Sequence, residues 1–453
     1  MEKELWNYRI TPRVLKVNVE QTIEIEGLDD SYRFYDDVEY EIKILSRDEY
    51  SFEKGISAAL KNNISTKIFQ IKSKDGVLKF NYQFESEGLW RIYVRCLENK
   101  HYTEIRKHYW PWTATEKEFV FSVYALEEDL YGKFPYKGDL HMHTYGSDGE
   151  QSPALMAAKY RKYGFDFVSI TDHYTMNPSL EAIKRFKEIP TNFTIFPGEE
   201  VHHPNGGLYV FHVVNFNGKE SINTLLRNNL EQIEKEIEER AKVLKEETVD
   251  ETEAVLVAWY EWIHQRIKAV DGITIYPHPY YEFLGVYNIR ESTTREVYKR
   301  GLCDVVEIFG GTDKINNRLQ AQLYYKMQSE GYAFPFVASS DAHGNVTDER
   351  FSRLWTIVFS ENNTNKLPCA IKNGYTVAIE GMGNDEKTVY GDLRFVKYAW
   401  FLINEYYPRH DELCNAAGQA IERYVLGDRE QKLLITLTEK EIEKYNLSFF
   451  GRI

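Results

Sequence analysis

The stretch Gly138-Asp139-Leu140-His141-Met142-His143-Thr144 completes an apolar run that begins at Phe134, and it carries two histidines. In a β-strand, side chains two positions apart lie on the same face. His141 and His143 therefore direct two imidazoles toward one point, as a metal site at a strand end requires. An isolated His-x-His pair also occurs by chance, so its meaning depends on whether later apolar runs end in further candidate ligands.

The composition is that of a folded acidic protein, long enough for two or three domains. The 453 residues include 70 acidic and 56 basic side chains, which give a net charge of −14, and 15% of the residues are aromatic. This aromatic content argues against disorder. The chain contains no Lys- or Arg-rich block, so nucleic acid is not an expected partner.

The cysteines and apolar runs predict a cytoplasmic protein. The four cysteines are widely spaced and form no Cys-x-x-Cys pair, which indicates reduced thiols rather than a disulfide framework. The first residues lack the apolar core of a signal peptide, and no apolar run has the length of a membrane span. We therefore expect no membrane partner.

Residues 1–130 alternate apolar and polar side chains in short runs, as half-buried strands do. Turn signals such as Gly27-Leu28-Asp29-Asp30 separate these runs, and this spacing predicts an antiparallel β-sandwich. Such a module either has a structural or interaction role or binds a carbohydrate or protein partner. The runs span residues 14–19, 21–26, 40–45, 77–82, 90–95 and 118–124.

Residues 131–385 change to an alternation of strands and helices, which predicts a parallel sheet that closes into a barrel. Pro153–Tyr163, with Ser152 as a candidate N-cap, and Leu180–Lys187 are expected helices. A helical insertion interrupts the pattern at 217–270. In it, the apolar stripe of Glu231–Glu247 predicts an amphipathic helix, and Trp259–Ala269 a second one. The expected strands are Tyr136–Leu140, Phe165–Ile170, Thr194–Phe196, Leu208–Val213, Gly272–Tyr276, Val305–Phe309 and Phe334–Ala338.

Residues 386–453 are expected to form a mostly helical appendage. Leu393–Asn404 and His410–Leu426 have helical patterns, whereas Lys432–Leu437 resembles a short strand. Trp400 and Phe401 are interpreted as core residues. The appendage either covers the barrel or forms a contact between copies in a homo-oligomer.

Candidate metal ligands recur where the expected strands end, which is where barrels of this kind carry their active sites. Eight of the twelve histidines lie in these segments, a clustering that scattered surface histidines would not produce. Imidazole together with carboxylate suits borderline divalent cations. The candidates are His141, His143, Asp148, Asp172, His173, Glu199, Glu200, His202, His203, His212, His278, Glu307, Asp341 and His343.

Taken in order, these motifs resemble the polymerase and histidinol phosphatase (PHP) superfamily of metal-dependent hydrolases. They are Asp-Leu-His-x-His-Thr, Ser-Asp-Gly, Thr-Asp-His, Gly-x-Glu-Val, a single His, His-Pro and Ser-Asp-x-His, and they cover about residues 134–380. The Pro-Gly-Glu-Glu-Val segment is similar to the carbamate-hydrolase-like branch. The resemblance implies a distorted (β/α)7 TIM-like barrel whose carboxyl-terminal face holds two or three divalent metal ions, zinc, manganese or iron.

The resemblance also implies how the ligands are shared. One metal would take His141, His143, Glu200 and Asp341. A second would share Glu200 and add His212 and His278, and a third would take Asp148, His173 and His343. The family pattern favours Glu200 over Glu199 because the ligand precedes the hydrophobic residue.

Several candidates have other expected roles. His212 follows Phe211, where the family usually has glycine. His202 and His203 have no assigned ligand role, and His203 is a candidate for substrate contact. Asp172 and Glu307 are expected to orient histidines, although Glu307 is equally compatible with a purely structural role.

The implied activity is that of a phosphoesterase (EC 3.1), which hydrolyses a small-molecule phosphate monoester or diester with a metal-activated water. His343 or His173 would protonate the leaving group, and Asp341 would accept the proton of the water. Lys314, Arg318 and Arg350 are candidates for phosphate binding, with exposed solvated charges as the alternative interpretation. Two other functions compete: hydrolysis of a non-phosphate ester, carbamate or amide with the same metals, and non-catalytic binding on an inherited barrel.

Overall fold

The fold was analysed in a computed structural model, which describes residues 7–47, 67–97, 118–205, 211–248, 250–344, 351–381 and 385–452. The chain forms two compact units. The first comprises residues 1–133, 397–410 and 441–453, and the second comprises 134–396 and 411–440. The carboxyl-terminal helices thus contribute residues to both units.

The first unit is built from short strands whose buried residues alternate with exposed ones, as the sequence pattern predicts. Each of the six alternating runs contains or overlaps a strand. The strands are β1 (Tyr8–Thr11), β2 (Val14–Lys16), β3 (Glu20–Gly27), β4 (Glu39–Ser46), β5 (Lys67–Lys72), β6 (Val77–Gln83), β7 (Gly88–Cys96) and β8 (Glu118–Leu126).

These strands form two sheets around one hydrophobic core. One sheet has the order β1-β3-β6 and the other β2-β8-β7-β4-β5. All pairs are antiparallel except β2 with β8, which is parallel. The core contains inward-facing aromatic residues such as Phe34, Phe84 and Trp90. A short helix, α1 (Glu128–Tyr131), follows β8.

The second unit contains two mixed sheets. One has the order β11-β10-β9-β19-β20-β21 and the other β12-β13-β14-β17-β18. Its strands are β9 (Phe134–Asp139), β10 (Phe167–Ser169), β11 (Thr194–Phe196), β12 (Gly198–Val201), β13 (Val213–Phe216), β14 (Ile273–Tyr276), β15 (Glu282–Phe283), β16 (Val286–Tyr287), β17 (Val305–Phe309), β18 (Phe336–Ala338), β19 (Leu354–Ser360), β20 (Thr376–Glu380) and β21 (Thr388–Tyr390).

In this unit, the direction in which two neighbouring strands pair is related to the segments that connect them. Its helices before the carboxyl-terminal region are α2 (Pro153–Lys162), α3 (Asn177–Phe186), α4 (Ile222–Leu244), α5 (Glu251–Ala269), α6 (Glu291–Arg300), α7 (Lys314–Ser329) and α8 (Leu367–Lys372). The strands that α2, α3 and α7 separate pair in parallel, whereas β19 and β20, which are connected through the short helix α8, pair antiparallel. The β12–β13 and β13–β14 pairs are antiparallel, because neither has the single crossover helix that parallel strands need. The expectation of a wholly parallel sheet is therefore wrong.

The fourth expected strand is displaced along the chain. The structure places β13 at Val213–Phe216, whereas Leu208–Val213 was expected, and residues 206–210 lie outside the described part. His212 accordingly precedes its strand instead of ending it. The ring still reaches the site because β13 runs antiparallel to β12, so that the start of one strand lies beside the end of the other.

The helical insertion agrees with its sequence pattern. Helix α4 begins after Ser221, whose side chain accepts a hydrogen bond from Thr224 N, and α5 begins after Asp250, which accepts one from Glu253 N. The predicted stripe of α4 is buried in the core of the unit: Ile233, Ile237, Ala241 and Leu244. Ser152 takes the N-cap position of α2 but makes no side-chain cap bond.

The carboxyl-terminal region is helical, with α9 (Leu393–Glu405), α10 (Tyr407–Val425) and α11 (Gln431–Phe450). The strand expected at Lys432–Leu437 is wrong, because this segment is the first part of α11. Ile435, Ile442 and Phe449 of this helix are buried, and their spacing of seven residues is helical rather than strand-like. None of the described helices combines the length and apolar character needed to cross a lipid bilayer.

Candidate metal centre

The two histidines that follow β9 face each other and a carboxylate from the loop after β18, a strand of the other sheet. His141 Nε2 lies 3.3 Å from His143 Nε2. Asp341 Oδ1 lies 3.4 Å from His141 Nε2 and 2.8 Å from His143 Nε2. The loop after β18 carries Asp341, and its backbone N–H bonds to His141 O at 2.8 Å. This backbone bond holds the carboxylate against the two rings.

Glu200, at the end of β12, is the centre of the cluster. Its side chain is fully buried, and its two oxygens face nitrogens of six histidine rings. The distances are 3.6 Å to His141 Nε2, 3.6 Å to His143 Nε2, 2.7 Å to His173 Nδ1, 3.1 Å to His202 Nε2, 2.9 Å to His212 Nδ1 and 3.5 Å to His278 Nε2.

Asp148 forms a second, outer group with two histidines. Its Oδ2 lies 3.5 Å from His173 Nε2 and 3.3 Å from His343 Nε2, and its side chain is 55% exposed. Burial opposes its ionisation, but hydrogen bonds from His173 and His343 outweigh burial and hold the pKa of the carboxyl well below its usual range. The cluster therefore has an enclosed side around Glu200 and a solvent-facing side at Asp148.

The structure brings all nine predicted ligands into one cluster. Within it, four sets of side chains have ligand atoms that lie within 4.8 Å of one another. Nitrogen and oxygen ligands bind such metals at about 2.0–2.2 Å, so neighbouring ligand atoms around one ion lie about 2.8–3.6 Å apart. Most of the distances above fall in that range. The sets are His141–His143–Asp341, His141–Glu200–His278, His143–Asp148–His173–His343 and His173–Glu200–His202.

The chemical state of these groups also suits a cation. His143 Nδ1, His212 Nδ1 and both Glu200 oxygens are buried and make no hydrogen bond within the described part of the chain. Burial lowers the pKa of His143 to about 3 and that of His212 to about 3, so these rings are neutral, as metal ligation requires. Burial opposes ionisation of Glu200, yet His212 and His141 keep its pKa well below the usual range. Burial also opposes protonation of His141 and His173, but Glu307 and Glu200 raise the pKa of His141 well above its usual range, and Glu200 raises that of His173 to about 10. A buried carboxylate among these imidazoles is a donor set that a divalent cation, by displacing the ring protons, would satisfy.

Two further buried carboxylates, Glu307 and Asp139, make hydrogen bonds to the candidate ligands or to their neighbours. Glu307 Oε1 lies 3.0 Å from His141 Nδ1, and its Oε2 accepts a bond from His278 N at 3.1 Å. Asp139 accepts bonds from His141 N at 3.2 Å and Ser340 N at 3.1 Å. Burial raises the pKa of Asp139 to about 6. The predicted orienting role of Glu307 thus has a direct geometric basis.

The backbone around two of the candidate ligands is strained. Asp341 has φ 49° and His278 has φ 21°, values that L-residues rarely adopt and that cluster at functional sites. Gly310 and Gly311 pack directly beneath them. A Cβ added at Gly311 would stand 2.1 Å from Asp341 Cβ, and one at Gly310 would stand 2.5 Å from Glu307 Oε2. Because Gly310 and Gly311 have no Cβ, the side chains of Glu307 and Asp341 can approach the backbone closely at these two positions.

Asp172 and Glu199 have other partners than histidines. Asp172 accepts bonds from Thr144 N at 2.8 Å and Ser147 Oγ at 2.7 Å, so it holds the loop that carries Asp148, and the expectation that it orients a histidine is wrong. Glu199 points away from the cluster. It accepts bonds from Ser221 Oγ at 2.6 Å and Asn215 Nδ2 at 3.0 Å, and it anchors the start of α4.

The position of His202 within the cluster was not expected from the sequence. Its Nε2 lies 2.8 Å from His173 Nδ1 and 3.1 Å from Glu200 Oε2. The signal was available: Glu200 and His202 are two residues apart at the end of a strand, like His141 and His143. His203 consequently points elsewhere, packing 5.2 Å from the Trp259 ring with Nε2 3.4 Å from Glu234 Oε1.

The proposed phosphate-binding cations do not join the cluster in the described residues. Arg318 Nη2 lies 2.9 Å from Glu380 Oε2 and donates to Thr388 Oγ1 at 2.8 Å. Lys314 is an exposed residue at the first turn of α7. Arg350 lies outside the described residues. A basic residue at the rim is instead Arg227, which donates to Tyr174 O beside His173.

An aromatic crevice adjoins the buried side of the cluster. His212 and His278 line it together with Tyr260, Tyr276 and Tyr281. The rings of His278 and Tyr281 are 5.1 Å apart. Among the described residues that line this crevice, the histidines are the basic side chains.

No protein-family model and no curated protein matches this chain. Among solved structures it is similar to a two-domain protein from Bacteroides vulgatus ATCC 8482 that contains a predicted PHP-like metal-dependent phosphoesterase. The identity is 16%, the match covers 56% of this chain and 66% of that one, and the TM-score is 0.38. This chain therefore spans slightly less than two thirds of that protein.

Two further solved structures are similar at the same level. An amidohydrolase from Chromobacterium violaceum, with bound sulfate and no metal, is 16% identical, with 47% of this chain and 89% of that chain covered and a TM-score of 0.32. A protein from Bifidobacterium adolescentis ATCC 15703, proposed to be a metal-dependent phosphoesterase, is 15% identical. Its match covers 51% of this chain and 96% of that chain, with a TM-score of 0.36.

Proposed function

We propose that this chain is a metal-dependent hydrolase that cleaves a phosphate monoester or diester. The observation that carries the proposal is the buried Glu200 carboxylate, which faces nitrogens of six histidines at 2.7–3.6 Å. A carboxylate accepts about four hydrogen bonds, so it cannot satisfy six rings by itself. Divalent cations bound among these donors complete the site.

The proposed ligands form three groups. His141, His143, Asp341 and Glu200 make one, His212 and His278 with Glu200 make the second, and Asp148, His173 and His343 make the third. To these we add His202, on the Glu200 side. Bound zinc, manganese or iron would supply Lewis acidity, which lowers the pKa of a water and neutralises charge on phosphoryl oxygens.

The solvent-facing side of the cluster is where the substrate would enter. His173 and His343 have side chains 16% and 22% exposed, respectively, whereas His141 and His143 are fully buried. His343 Nδ1 lies 2.8 Å from the backbone oxygen of Asp341, which directs Nε2 outward toward Asp148. His343 or His173 is thereby positioned to give a proton to a leaving group, and Asp341 to accept one from water.

A second function would use the aromatic residue beside the cluster. The half-buried Tyr281, whose ring lies 5.1 Å from that of His278, offers an aromatic surface that suits a carboxylic ester, carbamate or amide better than a dianionic phosphate. Arg318, a candidate for phosphate binding, forms an ion pair with Glu380. The two functions differ in substrate but use the same metal centre.

The deciding experiment couples metal analysis of the purified chain with hydrolysis assays. Two or three metals per chain with release of nitrophenol from p-nitrophenyl phosphate or bis-p-nitrophenyl phosphate is the expected result, and the preferred ester separates monoesterase from diesterase. If the chain binds metal but cleaves only p-nitrophenyl acetate, the result would support the second function instead of the first. Failure to bind metal after supply of zinc, manganese or iron would contradict both. A His141→Ala variant is the control, since it should lose metal and activity together.

The finer architecture belongs to the same proposal. We infer that residues 131–385 are a distorted (β/α)7 TIM-like barrel, that residues 1–130 are an antiparallel β-sandwich, and that residues 386–453 are a mostly helical appendage. A cytoplasmic location and a small-molecule substrate, without a nucleic-acid or membrane partner, complete the proposed function.

A further inference from the structure

A cavity of about 520 Å³ lies in the first unit, on the face of the five-stranded sheet opposite its core. Strands β7 and β8 pair Leu89 with Tyr124 and Arg91 with Ser122, and all four side chains line this cavity. The intervening Trp90 belongs to the core on the other face, as the alternation of a strand requires. Sites for small molecules occupy about 300–1,000 Å³, so the volume is that of a ligand site.

Helix α9 forms the second wall of this cavity. Lys397, Trp400, Phe401 and Asn404 line it, at spacings of three and four residues that place them on one helix face. Phe401 is buried, with its ring 5.3 Å from that of Tyr124. Trp400 was expected to be a core residue, but it is 39% exposed and presents its indole to the cavity.

Three of the described residues that line the cavity have basic side chains. Arg47, Arg91 and Lys397 are among its lining residues. The carboxylate that also lines it, Glu405, is neutralised by an ion pair with Arg13, in which the two side chains are 10% and 5% exposed. Arg91 Nη1 donates to Ser122 Oγ at 2.5 Å, which holds the guanidinium across the sheet.

We propose that this cavity binds a small organic anion, one that joins a carboxylate, phosphate or sulfonate group to a planar apolar group. The three cations recognise the acidic group, and the indole of Trp400 packs against the planar part. Ser122 and Asn404 offer hydrogen bonds beside them. The site is separate from the metal cluster, since all the lining residues that the structure describes belong to the first unit.

The test is a fluorescence titration of the full chain with 8-anilinonaphthalene-1-sulfonate. N-phenyl-1-naphthylamine, which has the same rings without the sulfonate, is the matched neutral probe. We expect one saturable sulfonate site per chain and at least about tenfold weaker binding of the neutral probe, because the charge-assisted contacts are lost. The double variant Arg47→Gln/Lys397→Gln should weaken sulfonate binding at least about tenfold while leaving the neutral probe unchanged.

Two single variants complete the design. Trp400→Ala should weaken binding of both probes, because it removes the packing surface. Lys79→Gln removes the same charge from a strand residue that is 64% exposed and outside the cavity, and it should bind both probes like the unmodified chain. Sulfonate binding that survives the double variant and Trp400→Ala, equal affinity for the neutral probe, or no saturable site would overturn the proposal. None of these readouts depends on metal or hydrolytic activity.

Discussion

Glu307 Oε1 lies 3.0 Å from Nδ1 of His141, and both side chains are fully buried. This contact turns the imidazole so that Nε2 faces Asp341 at 3.4 Å and Glu200 at 3.6 Å. A carboxylate behind a ligating histidine fixes the ring orientation and increases its basicity. The pair thus connects a residue from β17 to the centre of the cluster.

Replacement of Glu307 should weaken metal binding without abolishing it. We expect Glu307→Ala to lower metal affinity about 10–100-fold, the usual effect of removing a group that supports a ligand. Glu307→Gln retains an acceptor oxygen and should lose less. Competition with a chromogenic chelator measures both, and an alanine variant with undiminished affinity would show that Glu307 has only a structural role.

The adjacent residues Glu199 and Glu200 should respond differently to the same substitution. Glu200→Gln removes the carboxylate that faces six histidines, so bound metal and hydrolysis should both be lost. Glu199→Gln alters an acid that anchors Ser221, Asn215 and Ile222 N. It should cost about 1–3 kcal/mol of unfolding free energy, the cost of an impaired buried hydrogen-bonding group, while metal content is kept. Metal analysis and denaturant unfolding separate the two effects, and loss of metal from the Glu199 variant alone would reverse the assignment.

His202 and His203 form a second matched pair. His202→Asn should lower the metal content or affinity of the chain, because His202 Nε2 lies 3.1 Å from Glu200 Oε2. His203→Asn should leave metal content unchanged, since that ring packs on Trp259. Metal titration by calorimetry provides the measurement. Equal metal binding by the two variants would remove His202 from the proposed ligands.

Gly311 should tolerate no side chain. A Cβ there would stand 2.1 Å from Asp341 Cβ, so Gly311→Ala should displace the aspartate, reduce metal affinity and cost about 1–3 kcal/mol in unfolding free energy, as overpacking does. Gly132→Ala is the control, because the nearest atom to its added Cβ is 3.9 Å away and its φ is −71°. Thermal unfolding with and without chelator tests both variants. A Gly311 variant with normal metal affinity would indicate that the backbone can adjust here.

Part of the fold could be predicted from the sequence because it depends on local periodicity. The alternation in residues 21–26 and 77–82 corresponds to β3 and β6, and the stripe of Ile233, Ile237 and Ala241 is buried in α4. Strand direction could not be predicted in the same way. It depends on the path of the connecting segments. β12 follows β11 with one intervening residue and pairs antiparallel with β13, and β20 follows one short helix yet pairs antiparallel with β19.

The sequence by itself determined which residues are candidate metal ligands, since its motifs select nine side chains and all nine meet in one cluster. Only the tertiary structure decided that His202 joins them, that His203 and Arg318 do not, and that Trp400 lines a cavity. The physical reason is that a strand dictates the face on which a side chain lies, whereas its neighbours come from segments far away in the chain. Glu200 meets His141 and His278 only because separate strands and loops bring their ends to one place.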